Sequence, residues 1–422
     1  MIASSQNSAD EKVKILLLLG APFTEQNYER IGIPYLEKNF SLIVFQCMEW
    51  LNRPFGAEFF EPKKWEPYEF IRTEDDFREL LRKYRPDYAI DFIGLELITP
   101  KIARILHSQN VKMVIQKLGT LPFEREMYAR LKRLFKSKLR VKFLKKRTES
   151  ATQELIYDKK KISISKVNQN RLGLNFSRRV LPLALRLRTP FIALLAGKKS
   201  NSILTRMAKK TVWGASHDFN TFQKIETYKS TNLPRDYFVF LDECLTQGLD
   251  WSTLNMSVPV TPESYFLHLN NYFLKVEKEY SLPVIIAGHP NTANDNSYSK
   301  NFNGREIFYG KTAELVLHSR SVLLHASASV SYAILSKKPI TSLTTEELDL
   351  SHYGNWIRSV SRAVGSKMVF IDKNLGEGTM SIQPNAQKYL SYELNFLRSE
   401  HSQETNPWES FTEFVLENRK GK

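Results

Sequence analysis

Cysteine is nearly absent from this chain. Cys47 and Cys244 are the two present in 422 residues. That excludes a disulfide framework and fits a reducing, cytoplasmic compartment. No zinc-type Cys/His spacing exists, so no metal site is expected. Gly20 follows the first apolar run but belongs to no GxGxxG fingerprint, so neither a nicotinamide nor a flavin cofactor is expected. No Asp-x-Asp pair stands where a metal-bound diphosphate would need one. Asp75-Asp76 reads instead as the capping of a helix start. The segment Gly304 to Thr312 has five residues between its glycines, where a P-loop needs four, and an ATPase is rejected. Long apolar runs are missing as well. Ile15 to Leu19 is far too short to span a bilayer, and Val180 to Ala196 is interrupted by Arg186, Arg188 and two prolines. The polar opening MIASSQNSADEK does not read as a signal peptide.

Positive charge is abundant, and it is concentrated. The chain carries a formal net charge of +16, and Arg130 to Arg147 alone holds ten basic residues and no acid. Setting those ten aside brings the total from +16 to +6. No zinc finger, RRM signature or helix-turn-helix pattern accompanies the charge, so nucleic acid is not an expected partner. On a helix, Tyr128, Leu131, Leu134, Phe135, Leu139 and Phe143 would share one face. A basic amphipathic helix of this kind suits an anionic membrane surface, with Arg130, Lys132, Arg133, Lys136, Lys142 and Lys145 as contacts to membrane or acceptor. A solvated charged helix or a basic loop is the plainer alternative. The implied location is cytoplasmic, peripheral at the inner face of the plasma membrane.

Apolar runs alternate with helical stretches along both halves. Val13 to Leu19, Leu42 to Gln46, Pro86 to Ile93, Val111 to Gln116, Phe191 to Leu195 and Thr211 to Ala215 read as strands. Helices are expected at Tyr28 to Lys38, Lys101 to Gln109 and 179–188. After YKSTNLPR, a linker, come strand Tyr237 to Leu241, a helix opening at Thr261-Pro262-Glu263 and a strand ending at His289. A late strand spans Ser366 to Ile371, and Asn406-Pro407 starts a last helix. This spacing predicts an α/β protein with parallel sheets: two Rossmann-like doubly wound domains facing a cleft. The expected division is 1–232, with a basic insertion near 118–175; then 233–395; then a C-terminal helix in 396–422 that could cross back to the first domain.

Chemistry gathers between Pro283 and Ile340. PVIIAGHP is followed by a polar loop and then GKTAELVLHSRSVLLHASASVSYAILSKKPI. Two apolar runs stop at polar clusters, His289-Pro290 and Ser327-Ala328-Ser329, with a helical stretch between them. Open α/β sheets bind ligands at such carboxyl ends. This arrangement resembles the C-terminal half of a GT-B glycosyltransferase, in particular the bacterial sialyltransferase, polysialyltransferase and Kdo-transferase group. Their His-Pro and Ser/Thr motifs hold a cytidine nucleotide. It is also similar to the CDP-glycerol transferases. The detailed likeness covers about the last third of the chain, and here the serines alternate with alanine.

The resemblance implies a metal-independent glycosyltransferase of surface polysaccharide synthesis. The donor would be a nucleotide-activated sugar, with a CMP-linked one as the candidate, and the acceptor a glycan or lipid-linked glycan. His289, Pro290, Ser327, Ser329, Glu314 and Lys311 are the candidate donor-nucleotide residues. An inverting transfer needs a base, and Asp242, Asp91 and Asp218 all follow strands. Each carboxylate could equally be a cap or a surface ion pair. Asp242 lies next to the linker; Asp242-Glu243-Cys244 lacks the glycine that follows the acidic pair in the related sialyltransferases. A CDP-alditol phosphotransferase, a UDP-sugar epimerase and a non-catalytic scaffold or nucleic-acid-binding protein remain alternatives.

Overall fold

The computed structural model describes residues 12–21, 30–51, 67–93, 99–119, 189–200, 203–226, 236–247, 256–373, 380–400 and 406–420, and the single residues 23, 28, 121, 122, 233, 234 and 251. The basic stretch 130–147 and the expected helix 179–188 lie outside them.

Two parallel sheets, each flanked by helices, build two Rossmann-like domains in a GT-B fold. The first sheet has strands β1 (Lys14–Leu19), β2 (Ser41–Gln46), β3 (Tyr68–Phe70), β4 (Tyr88–Phe92), β5 (Lys112–Lys117), β6 (Ile192–Leu195) and β7 (Lys210–Trp213). Their order is β3-β2-β1-β4-β5-β6-β7. The second sheet has β8 (Phe238–Leu241), β9 (Val284–Ala287), β10 (Ile307–Phe308), β11 (Ser321–Leu324), β12 (Ile340–Thr344) and β13 (Lys367–Phe370), in the order β10-β9-β8-β11-β12-β13. In both sheets the first strand is central and the fourth lies at its other side. The order therefore reverses between β1 and β4, and again between β8 and β11.

The central strands read as near-continuous apolar runs because helices cover both faces. In β1 (KILLLL), Ile15, Leu17 and Leu19 pack on one face with Val44 and Ile90, while Leu16 and Leu18 pack on the other with Phe45 and Ala89. A slip of one residue in register would exchange these faces. The pairing Leu17↔Val44 and Leu17↔Ile90 fixes it.

Helices follow local signals. Helix α1 (Glu74–Tyr84) starts at Thr73, whose Oγ1 accepts from Asp76 N (3.1 Å) while Asp76 accepts from Thr73 N (2.9 Å). Asp76 is thus one half of a capping box, and the N-cap itself is Thr73 rather than an aspartate. Helix α2 is Thr99–Ser108 and α3 is His217–Glu226. The helix expected over Tyr28 to Lys38 is interrupted at Gly32, in the left-handed region at φ +84, and the single turn Ile33–Leu36 follows with Pro34 in it. In the second domain, α4 is Pro262–Tyr280, α5 Thr312–His318, α6 Val330–Leu335, α7 Gly354–Val364 and α8 Ala386–Tyr392. Among the described residues no helix is long and apolar enough to cross a membrane.

The chain end joins the two halves. After α8 and a wide turn Glu393–Leu397, helix α9 (Pro407–Lys420) packs on the first sheet. Trp408, Phe411 and Val415, spaced along one helical face, share a core with Ile15, Leu17 and Ile90. Gly197 shows how close the return is. Its φ is +70, and a Cβ there would meet the Asn395 backbone at 2.6 Å.

Candidate functional site

The carboxyl edges of the two sheets meet at one cavity of about 580 Å³. Volumes in this range hold a single small ligand. Both reversals of strand order open toward this region, and such reversals are where open α/β sheets take ligands. From the first domain come Leu19 and Ala21 around the end of β1, Phe92 at the end of β4, Lys117 at the end of β5, and Ser216 to Asp218 opening α3. From the second domain come Ala328, Ser329 and Ser331, with Tyr392, Phe396 and Leu397 from the returning segment.

Asp218 ties the walls together. Its carboxylate accepts a short hydrogen bond from the Ser331 hydroxyl and a longer one from Tyr332 (3.4 Å). Both donors belong to α6 in the second domain. Beside it, the Ser216 amide donates to Leu397 O at 2.6 Å, so the first turn of α3 is fixed to the returning segment. Burial raises the pKa of Tyr332, and the Asp218 charge adds to this, so the phenol is held as a donor.

The other two candidate carboxylates lie elsewhere. Asp91 alternates with Phe92 along β4, so it faces away from the cavity, and it accepts from the Ile93 amide at 2.8 Å. Asp242 is 6% exposed. It accepts from Cys244 N (3.1 Å), His289 N (3.3 Å) and Tyr298 OH (2.9 Å). Burial raises its pKa, opposed by these three donors. Neither Asp91 nor Asp242 lines the cavity. Of the three, the structure brings Asp218 alone into it.

Asp242 and Glu243 work as a pair of clamps at the end of β8. Asp242 holds the loop after β9. Glu243 reaches the other neighbour, β11, accepting from His325 N (2.9 Å) and from Ala326 N (2.9 and 3.1 Å). Tyr353 donates a further short bond to it. Part of Glu243 stays open to solvent, but its carboxyl is packed among protein atoms, and that desolvation pushes its pKa up to about 7 against these donors.

His289 caps the short turn Pro290–Thr292, its Nδ1 accepting from Asn291 N at 3.3 Å. One strand, β8, lies between it and the serine turn, two inter-strand spacings or about 10 Å. Ser329 precedes α6 and Ser327 Oγ accepts the Ser329 amide at 3.2 Å, while Ser331 is inside the helix. Lys311 is the N-cap of α5. Glu314, one turn on, lies beside the Tyr237 phenol, which donates to Leu315 O at 2.9 Å. His325 is fully buried. Its Nδ1 donates to Leu343 O (2.8 Å) and its Nε2 takes the Tyr265 hydroxyl (2.9 Å), so it is a neutral core imidazole. Burial lowers its pKa to about 4. The basic candidates Arg130, Lys132, Arg133, Lys136, Lys142 and Lys145 lie outside the described residues.

Sequence reasoning missed Arg30, Phe92, Lys117, His217 and Tyr332. All five stand at or just after the carboxyl end of a strand, or within a helical segment that follows one, which was the available signal. Among the described residues no group of three or more His, Cys, Asp or Glu is placed to hold a metal ion.

No family model and no curated protein matches the chain. Among solved structures it is similar to UDP-GlcNAc 2-epimerase of Methanocaldococcus jannaschii in complex with UDP-GlcNAc and UDP. That likeness has 12% identity, 97% of this chain and 100% of that one covered, and a TM-score of 0.46. It is similar to UDP-GlcNAc 2-epimerase of Neisseria meningitidis, at 10% identity, 97% and 100% covered, TM-score 0.43. It is similar to MurG of Acinetobacter baumannii, at 8% identity, 96% and 100% covered, TM-score 0.42.

Proposed function

We propose that this protein is an enzyme acting on a nucleotide-activated sugar held across the interdomain cavity. The observation that carries the reading is the meeting of two strand-order reversals, one from each sheet, at a cavity of about 580 Å³. The nucleotide lies along the β9-β8-β11 edge of the second domain, between His289-Pro290 and Ser327-Ser329. Lys311 and Glu314 flank that edge. Asp242 and Glu243 touch no ligand. They hold the two loops that do, because each carboxylate accepts backbone amides of a neighbouring strand's loop.

In the transfer reading the sugar moves to a hydroxyl of a glycan or lipid-linked acceptor, and Asp218 takes the proton. General-base removal costs about 100-fold to 10,000-fold in rate. The Ser331 and Tyr332 hydroxyls aim the carboxylate. The basic segment, through Arg130, Lys132, Arg133, Lys136, Lys142 and Lys145, meets an anionic membrane surface that carries the acceptor. A second reading follows from the cavity's size: one nucleotide-sugar fills it, and isomerisation in place, as by an epimerase, needs no acceptor.

Calorimetric titration of CMP, CDP, UDP, GDP and ADP into the wild type and His289→Ala tests the common core. Nucleotides of one base bind, at least tenfold more weakly to the variant. A folded protein that binds none of the five overturns the proposal. Incubation with the matching nucleotide-sugar and no acceptor then separates the two chemistries: a new epimer means isomerisation, and unchanged donor means transfer.

A further inference from the structure

Helix α4 (Pro262–Tyr280) carries two stripes. Tyr265, Phe266, Leu269, Tyr272, Phe273 and Val276 are buried in the core of the second domain. Opposite them stand Glu263, Leu267, Asn271, Leu274 and Lys278, all exposed. At 3.6 residues per turn these five fall within about 80° of arc, so they form one straight row. A single exposed leucine carries no information. Here Leu267 is 59% exposed and Leu274 56%, and they are neighbours along the same row.

The row is complementary to itself. Turned end for end, Glu263 takes the place of Lys278 and Leu267 that of Leu274, and in both exchanges the midpoint falls between Asn270 and Asn271. Two copies packed antiparallel across a two-fold axis therefore set leucine on leucine. The same arrangement sets each Glu263 against the other copy's Lys278.

The relief of the surface follows the same pattern. A groove of about 360 Å³ runs beside the N-terminal half of α4, between Pro262, Phe266, Leu267 and Asn271 on one side and the turn Lys300 to Asn303 on the other. Leu274 and Lys278, on the C-terminal half, do not line it. The two-fold sets the projecting half of each copy over the grooved half of the other. An isologous interface needs such a match of one patch with itself. The groove's walls are fixed in advance. Asn270 Nδ2 donates to Phe266 O and to Asn301 O, each at 2.8 Å. Arg305 joins Asn270 to Glu277 through further 2.8 Å bonds. Phe302 is fully buried against Phe266 behind the turn. Rigid walls spare the ordering that association otherwise costs.

We propose that this face of α4 is the contact between two copies of this chain, packed antiparallel as a two-fold dimer. None of the described residues that line the interdomain cavity lies on α4, so the contact leaves that cavity open and stands apart from the nucleotide-sugar reading. One helix row and one turn make a small interface beside the roughly 800 Å² per partner of a standard one, so the expected dissociation constant is roughly 10 μM.

Sedimentation velocity of the full chain between about 1 and 100 μM provides the test. The wild type passes from monomer toward dimer over that range. Leu267→Glu, which puts a carboxylate into the leucine seam twice, stays monomeric. Glu263→Lys and Lys278→Glu each weaken association about tenfold or more, because the two-fold repeats every like-charge contact. Mixed in equal amounts, these two variants associate within about threefold of the wild type, since each cross-pair again joins opposite charges. A misfolded variant cannot produce that rescue. A wild type still monomeric at about 100 μM overturns the proposal and leaves the face to solvent or to another molecule. Association unchanged in Leu267→Glu and the charge variants also overturns it, because the contact then lies elsewhere. Charge variants that are monomeric alone and still monomeric when mixed overturn it as well.

Discussion

Replacing Glu243 by glutamine should remove the pH dependence that this residue gives to stability. Its carboxyl accepts two backbone amides and the Tyr353 hydroxyl, yet burial still raises its pKa from 4.5 to about 7. In the unfolded chain the group has its ordinary value. The folded state therefore holds the proton more tightly than the unfolded state, so Glu243 contributes most below pH 4.5 and loses that contribution as pH rises through about 7. The difference amounts to roughly 3 kcal/mol, about a hundredfold in the folding equilibrium. A glutamine at this position is neutral throughout and nearly isosteric. Denaturant unfolding of wild type and Glu243→Gln at pH 5, 6, 7 and 8 isolates the effect, because Asp242, His325 and every other titrating group are common to both. Near pH 5 the two proteins should lie within about 1 kcal/mol of each other. By pH 8 the glutamine variant should have gained roughly 3 kcal/mol on the wild type. A gap that stays flat from pH 5 to 8, or one that moves toward the wild type, would refute the desolvated-clamp account of Glu243.

His325 has the opposite sign. Its pKa falls from 6.5 to about 4, so its contribution is present above pH 6.5 and disappears as pH falls toward 4; His325→Gln should flatten that acid limb of the unfolding curve. Gly197→Ala combines a φ of +70 with a Cβ at 2.6 Å from the Asn395 backbone, whereas Gly304 has a φ of +75 and open space. Gly304→Ala should cost about 1 kcal/mol and Gly197→Ala clearly more, read from denaturant midpoints. Equal costs would disprove the close return of the chain onto the first domain. Trp408→Ala empties a fully buried site under Phe92 and should cost about 3–5 kcal/mol. Asp218→Asn should leave nucleotide affinity within twofold and lower turnover by about 100-fold or more, and unchanged turnover would exclude it as the base.

Much of the fold is legible in the chain. β1, β2, β4, β5 and β6 announce themselves because a strand buried on both faces must be apolar throughout, and the turn residues Gly20 and Gly197 close two of them. β3, with no buried residue in Tyr68–Phe70, lacks that burden and escapes notice; β12, buried throughout but hidden behind a lysine pair, was not seen either, nor were helices α7 and α8.

The site was legible only by position. Ser327, Ser329 and His289 could be chosen because they follow strands, and the ends of parallel strands share an edge. Which carboxylate faces the cavity could not be chosen. Asp91 and Phe92 differ by one residue, and the pleat sends them to opposite faces. Asp242 and Glu243 are adjacent acids, but their partners are 47 and 82 residues away at His289 and His325. Asp218 meets Ser331 across 113 residues and two domains. Local sequence determined the strands, their apolar character and the caps, because those depend on neighbours a few positions apart. The tertiary structure alone decided which polar groups are satisfied inside the protein and which face the cavity. That depends on the distance between groups far apart in the chain, which is set when the two sheets pack and the last helix returns.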